Sequence, residues 1–137
     1  NENIGRDKKN RLRFSVFKTS GRECSTKYKV IRRYRCFTLV KLYPKTGRTH
    51  QIRVHMKFLG HPIICDTLYG GGKNRSNSYH QSYQLIINKI FKSINRIALQ
   101  AFFLEITHPI TNKNIKFELD LDGDLKRVVN ILDEEQK

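Results

Sequence analysis

An α+β fold, with a largely antiparallel mixed sheet flanked by helices, is what this sequence predicts. Three observations predict it. Several short segments alternate apolar and polar residues with the period of a half-buried strand. Three longer stretches carry apolar residues at helical spacing. Glycine, proline, serine and asparagine separate the two kinds of segment, as turns require.

Taken in order, Leu12, Phe14 and Val16 alternate with polar neighbours and read as a strand. Thr19-Ser20-Gly21 supplies a turn, after which Thr26, Tyr28 and Val30 alternate again, so these two strands are expected to form a hairpin. Phe37 to Tyr43 reads as a third strand, ended by Pro44 and the turn at Gly47. Thr49 can cap a helix running to Leu59, with Gly60 just past its end and Pro62 forbidding continuation. Its expected apolar face is Ile52, His55, Met56 and Leu59. Residues 71 to 82 are polar and aperiodic and read as a flexible loop. Tyr83, Ile86, Ile87, Ile90 and Ile94 follow helical spacing, and a helix patching the sheet is expected there. A strand over Ala101 to Ile106 is apolar on most of both faces. His108 to Asn114 is turn-rich, and Ile115, Phe117, Leu119 and Leu121 alternate cleanly. Asp122 can cap a last helix with Leu125, Val128, Val129 and Leu132 on its apolar face.

The chain of 137 residues has room for one domain or part of one. Its formal charge of +15 is unevenly spread. Residues 1–64 carry 17 Lys/Arg against 3 acids, and residues 65–137 carry 10 against 9. A basic half of that size suits a polyanion, because clustered cations neutralise phosphates and release their counterions. The plain alternative is a solvated basic face. Cys24, Cys36 and Cys65 are odd in number and too far apart for a zinc knuckle, so an intracellular, reducing compartment is expected. No apolar run approaches the roughly 20 residues of a membrane span.

The densest block of chemistry is Thr46-Gly47-Arg48-Thr49-His50-Gln51-Ile52-Arg53-Val54-His55, with two arginines, two histidines and a glutamine in ten positions. Leu59-Gly60-His61-Pro62-Ile63 follows, and then Asp66-Thr67-Leu68-Tyr69-Gly70. In these three pieces, in this order, the chain resembles the RluA-type pseudouridine synthases, whose signature reads TGRTHQIRVH, LGHPI and GD-x-x-YG. Ile4-Gly5-Arg6, Asn10-Arg11, Gly21 and residues 26–31 resemble the segment preceding that signature. Arg96 to Ala101, Leu104 and Thr107-His108-Pro109 resemble the family's R-x-x-LHA-x-x-L-x-x-x-HP element, and residues 117–125 its closing strand and turn. Cys65 stands in place of the usual glycine and Gln100 in place of the usual histidine. The likeness covers nearly the whole chain except residues 73–95, which are expected to be an insertion.

The resemblance implies an isomerisation of uridine to pseudouridine within a structured RNA, ribosomal or transfer, with no metal and no organic cofactor. It implies that Arg53 pairs with the catalytic aspartate, which an always-charged planar fork can hold ionised and aimed. That aspartate belongs to an HRLD-x-x-TSG-like motif, and an active-site tyrosine to a later one. Neither motif occurs in this chain. The expectation is therefore the C-terminal part of one pseudouridine-synthase-like catalytic domain, with its N-terminal half absent and no activity alone. The missing half of the same polypeptide and RNA are the expected partners, and no membrane or metal is.

Other residues divide between chemistry and framework. Arg53 read without the family is a surface ion pair or a phosphate contact. Arg48, in the turn, is a phosphate contact or a loop brace, with nothing in the sequence to separate them. His50 and His55 lie about 140° apart around a helix and do not converge on one ion. They read as packed hydrogen-bonding groups. Thr46, Gly47, Thr49 and Gln51 read as turn framework, and Asp66 and Tyr69 as a brace for the loop after the helix, with a direct substrate role as the lesser alternative. Leu99 is a candidate apolar wall of the uracil pocket, or simply core. Lys8, Lys9, Arg11, Arg13, Arg32, Arg33 and Arg35 are candidate RNA contacts, with Tyr28 and Tyr34 among them able to stack on bases, although core packing explains Tyr28 at least as well. The alternative to an enzyme is a basic RNA-binding module that keeps the fold without the chemistry. A basic structural protein of a ribonucleoprotein is a weaker third reading, because phosphate binding alone needs no such block as residues 46–55.

Overall fold

The computed structural model describes residues 1–136, and of residues 76–78 the backbone only. The strands are β1 Glu2–Arg6, β2 Phe14–Phe17, β3 Arg22–Cys24, β4 Thr26–Arg33, β5 Thr38–Pro44, β6 Phe103–Thr107 and β7 Asn114–Glu118. The helices are α1 Gln51–Phe58, α2 Gln84–Ser93 and α3 Gly123–Glu134. Among the described residues the strands form three small sheets, ordered β2-β1-β3, β4-β5 and β6-β7, and every pair is antiparallel. The architecture is α+β as expected, but the single mixed sheet is not found among the described residues.

The expected hairpin between residues 12–16 and 26–30 is replaced by two other pairings. β2 pairs with β1, Val16 opposite Ile4, and β4 pairs with β5, Val30 opposite Val40. The reason lies in Ile4, which is 4% exposed and needs neighbours on both sides. Gly21, at φ 99, turns the chain back so that β3 covers the second edge of β1. A β-bulge between Val30 and Arg32 then shifts the register of the β4–β5 ribbon.

Two apolar clusters hold the chain. The first joins Ile4, Cys24, Val54 and Tyr69, with Phe14 and Val16 against them. The second joins Tyr34, Ile86, Ile87, Ile90, Ile94, Val128 and Leu132, with Phe37 and Leu39 against them. The helix expected near residues 83–94 is present as α2, but its partner is α3 and the Tyr34–Leu39 end of the ribbon rather than a sheet face. Ahead of it, 3₁₀ turns at Lys73–Ser78 and Gln81–Tyr83 replace the expected aperiodic loop. Tyr34 is core, not a base-stacking platform, whereas Tyr28 is 58% exposed on β4. The β6–β7 hairpin extends apolar side chains into solvent, among them Phe103, Leu104, Phe117 and Leu119. Asp122 caps α3 as expected, accepting the Leu125 amide. Among the described residues no helix is long and apolar enough to cross a membrane, and all three cysteines are unpaired.

Candidate active site and nucleic-acid face

The turn before α1 is built around a buried glutamine. Gln51 is 4% exposed. Its Oε1 accepts from the Thr46 hydroxyl at 2.7 Å and the Arg48 amide at 3.1 Å, and its Nε2 donates to the Ser25 carbonyl and the Thr26 hydroxyl at 3.0 Å each. Every polar position of the amide is used, so turn 46–48 is locked to the junction of β3 and β4. Thr49 does not cap the helix. It is exposed, and His50 is the N-cap residue, in a left-handed conformation at φ 58 with no side-chain cap bond. The Gln51 side chain orders the turn ahead of the helix and bonds none of its first-turn amides.

The helix ends on a Schellman motif. The His61 amide bonds to the Met56 carbonyl and the Gly60 amide to that of Lys57, with Gly60 at φ 81. Its buried face is Gln51, Val54, His55 and Met56. Leu59, expected in that face, is 48% exposed, because the core lies one step round the helix, at Val54.

Arg53 leaves this helix toward the loop after it. Its Nε donates to Asp66 Oδ2 and its Nη2 to Asp66 Oδ1, both at 2.8 Å. Asp66 is fully buried and Arg53 retains 17% side-chain exposure. The ring of Tyr69 lies under the guanidinium, 4.8 Å from centroid to Cζ. The hydrogen bonds to Asp66 raise the Arg53 pKa further above its ordinary value. Asp66 also takes the Tyr69 amide at 3.2 Å, closing a 3₁₀ turn over Thr67–Tyr69. Gly71 makes that loop possible: a Cβ there would stand 1.7 Å from the Ile63 carbonyl oxygen. Cys65, where the relatives' motif has glycine, adopts φ 63, a conformation glycine takes more easily.

Tyr69 carries the network on to His50. The Tyr69 hydroxyl accepts the Phe14 amide at 2.9 Å and lies 2.9 Å from His50 Nδ1. Burial, then the Arg53 charge, lowers the His50 pKa, and burial raises that of Tyr69. The Tyr69 hydroxyl, already accepting the Phe14 amide, has its own proton to offer His50 Nδ1. His55 sits elsewhere, with Nδ1 2.9 Å from the Thr26 hydroxyl, so the two histidines do not meet. Burial lowers its pKa as well, and its buried Nε2 has no hydrogen-bond partner among the described residues.

The candidate RNA contacts fall in two places. Lys8, Lys9 and Arg11 are exposed on the loop between β1 and β2, which Asp7 organises by accepting the Lys9 and Asn10 amides. Arg13 there is half-buried, and its Nε has no hydrogen-bond partner among the described residues. Arg32, Arg33 and Arg35 lie at the far end of the ribbon and are exposed. Arg32 is committed, with Nη1 2.7 Å from Asp133 and its guanidinium over the Tyr34 ring. The Arg48 side chain is exposed while its amide braces the turn. Leu99 is half-buried between α2 and β6, where Arg96 Nη1 holds its carbonyl at 3.1 Å.

Arg96 is the residue whose importance sequence reasoning missed. It forks Asp124 through Nε and Nη2, bonds Asp122, and grips the carbonyls of Ile97 and Leu99. The signal was present in Asp122-x-Asp124 at the start of α3, an acidic pair facing the arginine that opens the R-x-x-L element. Gln100 fills the family histidine's place by bonding the Asp120 carbonyl at 2.7 Å and the Asp122 amide at 2.9 Å.

Comparison with known proteins finds relatives over most of this chain. The family model described as RNA pseudouridylate synthase matches residues 1–58. The chain is 35% identical over 130 residues to ribosomal large subunit pseudouridine synthase D of Neisseria meningitidis serogroup B, covering 94% of this chain and 33% of that protein. It is 36% identical over 141 residues to the chloroplastic RNA pseudouridine synthase 2 of Arabidopsis thaliana, with 94% and 33% covered. It is 38% identical over 112 residues to ribosomal large subunit pseudouridine synthase C of Escherichia coli O157:H7, with 82% and 32% covered. Over most of its length the chain is similar to RNA pseudouridine synthases, and it spans about a third of the length of these curated relatives.

Proposed function

We propose that residues 1–137 are the C-terminal part of one catalytic domain of an RNA pseudouridine synthase, acting on uridine in ribosomal or transfer RNA. The observation that carries this reading is the state of Arg53. Asp66 uses two of its five N–H donors, and Nη1 has no hydrogen-bond partner among the described residues. A rigid helix therefore presents a charged donor edge to which an aspartate from upstream can dock. In the reaction the N1–C1′ bond breaks, the base rotates and C5 bonds to C1′. Arg53 serves by keeping the attacking carboxylate ionised and aimed. Leu99 offers an apolar wall near the base. The exposed cations Lys8, Lys9, Arg11, Arg33 and Arg35, with Arg48, grip the backbone of an RNA whose target base has left its stack. Residues 73–95 are an insertion supporting α3, and the apolar β6–β7 hairpin awaits cover from the rest of the domain. The three unpaired cysteines favour a reducing, intracellular compartment.

The test is turnover. The full polypeptide should form pseudouridine in an RNA transcript, read by chemical labelling, and this chain alone should form none. Arg53→Lys keeps the charge but not the fork and should slow single turnover far more than it weakens RNA binding. Arg53→Ala should be slower still, since a buried carboxylate without its partner costs about 3–5 kcal/mol and takes up a proton instead. Weak RNA binding with normal saturated turnover by Arg53→Ala would make Arg53 a phosphate contact. The second reading, a binding module without chemistry, draws on the fact that Asp66 alone satisfies Arg53 as an ion pair. RNA binding by the full polypeptide with no turnover would favour it.

A further inference from the structure

We infer that Asp66 is a positioning residue for the reaction, setting both the aim of Arg53 and the charge that the reacting carboxylate experiences. This rests on the functional reading of Arg53 above. A guanidinium has a side edge, Nε with one Nη, and an end edge across Nη1 and Nη2. Asp66 occupies the side edge through two equal bonds of 2.8 Å. The end edge keeps Nη1 and the second proton of Nη2, enough to hold another carboxylate bidentately. Asp66 is itself immobile, since it is fully buried and accepts the Tyr69 amide. Tyr69 then fixes the plane of the guanidinium from below. Its own hydroxyl is anchored by the Phe14 amide and His50. Arg53 thus has one allowed direction before any substrate arrives, the preorganisation a reacting group needs.

The charge follows from the same geometry. One cation shared by two carboxylates is partly neutralised by the first, so the second keeps more basicity than it would facing an uncompensated arginine. The other titratable or charged groups around the pair are Tyr69, His50, Lys57 over the Tyr69 ring, and Arg13, which acts on Tyr69. None of them is a second anion. Asp66 alone balances Arg53 among the described residues at this site.

The experiment uses the full polypeptide on an RNA transcript, with single-turnover rates at saturating enzyme measured across pH and RNA affinity measured in parallel. Asp66→Asn keeps the shape and removes the charge. It should slow the chemical step by roughly 10- to 100-fold, the scale of a small misplacement of a catalytic group. RNA affinity should hold within about threefold, because Asp66 faces Arg53 and not a phosphate. The acid limb of the rate profile should move down by about one pH unit, because the reacting carboxylate then meets an uncompensated cation. A rate loss with the acid limb unmoved would make Asp66 a fold brace only and overturn the inference, and so would wild-type kinetics. If Asp66→Asn does not fold, Asp66→Glu decides. It keeps the charge but displaces the fork, so a slower rate with the acid limb in place supports the inference and a wild-type rate overturns it. Failure of the unsubstituted polypeptide to form pseudouridine would instead remove the functional reading itself.

Discussion

The Tyr34 hydroxyl donates to the Asp133 carboxylate at 2.7 Å, joining residues 99 apart in sequence. Arg32 meets the same Oδ1 atom at 2.7 Å, and Gln136 Nε2 donates to the Arg33 carbonyl at 2.8 Å. The end of α3 is thereby tied to the end of β4, over the cluster that α2 supplies.

Tyr34→Phe should therefore lower stability by about 1–2 kcal/mol, the loss of one charge-assisted hydrogen bond whose acceptor keeps its arginine. The pH dependence is a second check. Burial, then the bond to Asp133, pushes the Tyr34 pKa from 10.0 up to about 12. A phenol that loses its proton more readily when unfolded contributes stability in full below pH 10.0 and loses it as pH rises toward 12. Thermal unfolding followed across that window should show a decline that is shallower in Tyr34→Phe. Equal declines in the two proteins would refute the link.

Three glycines should separate by cause. Gly71→Ala puts a carbon against the Ile63 carbonyl and should cost more than about 3 kcal/mol, since backbone must move. Gly60→Ala has open space but a φ of 81, so only the left-handed strain of about 1 kcal/mol applies. Gly47→Ala meets nothing within 4 Å and has no positive φ, so it should change stability by less than about 0.5 kcal/mol. Denaturant midpoints in any other order would show that the local geometry does not govern these positions.

The sequence made the other strands and the helices legible, but not the short β1 and β3, because period and capping are local signals that need several residues to show. Asp122 and the Ile86–Ile87–Ile90–Ile94 stripe each read correctly for that reason. Strand partners did not, because pairing depends on which edge each strand finds. Nothing near Leu12–Val16 says that Ile4 supplies the edge. The Thr49 cap failed for a related reason: the helix starts one residue later, with left-handed His50 at its N-cap, and the Gln51 side chain folds back onto the Arg48 amide ahead of it. Family resemblance picked out Arg53 and Asp66 separately, but their two-bond contact needs the loop 63–71 to fold back, which the Gly71 contact with Ile63 requires and no local period encodes.

Gln51→Leu should be more damaging than its size suggests. An apolar isostere leaves the Arg48 amide without its acceptor and removes one partner each from the Thr46 hydroxyl and the Ser25 carbonyl, which keep the Ser25 and Lys45 amides. The cost should be about 1–3 kcal/mol, from the lost bonds around one buried amide. In the full polypeptide the same change should loosen the start of α1, so turnover should fall along with stability. A melting temperature equal to that of the wild type would mean that turn 46–48 is held by something other than the amide.

RNA binding should distinguish the arginines that look alike in sequence. Arg33 and Arg35 are exposed, whereas Arg32 is held by Asp133 and stacked over Tyr34. A free cation that contacts a phosphate releases about one counterion, so Arg33→Ala and Arg35→Ala should each reduce the slope of log affinity against log salt by about 1. Arg32→Ala should change that slope less, because its charge is already partly neutralised, and should cost at most about 1 kcal/mol of stability as an exposed pair. Single-turnover rates at saturating enzyme should stay near wild type for Arg33→Ala, since a phosphate contact positions the RNA without touching the reacting atoms. If Arg32→Ala lowers the slope as much as Arg33→Ala, the bond to Asp133 opens on binding and the end of α3 becomes part of the RNA surface. If none of the three moves it, the ribbon end is not where the RNA lies.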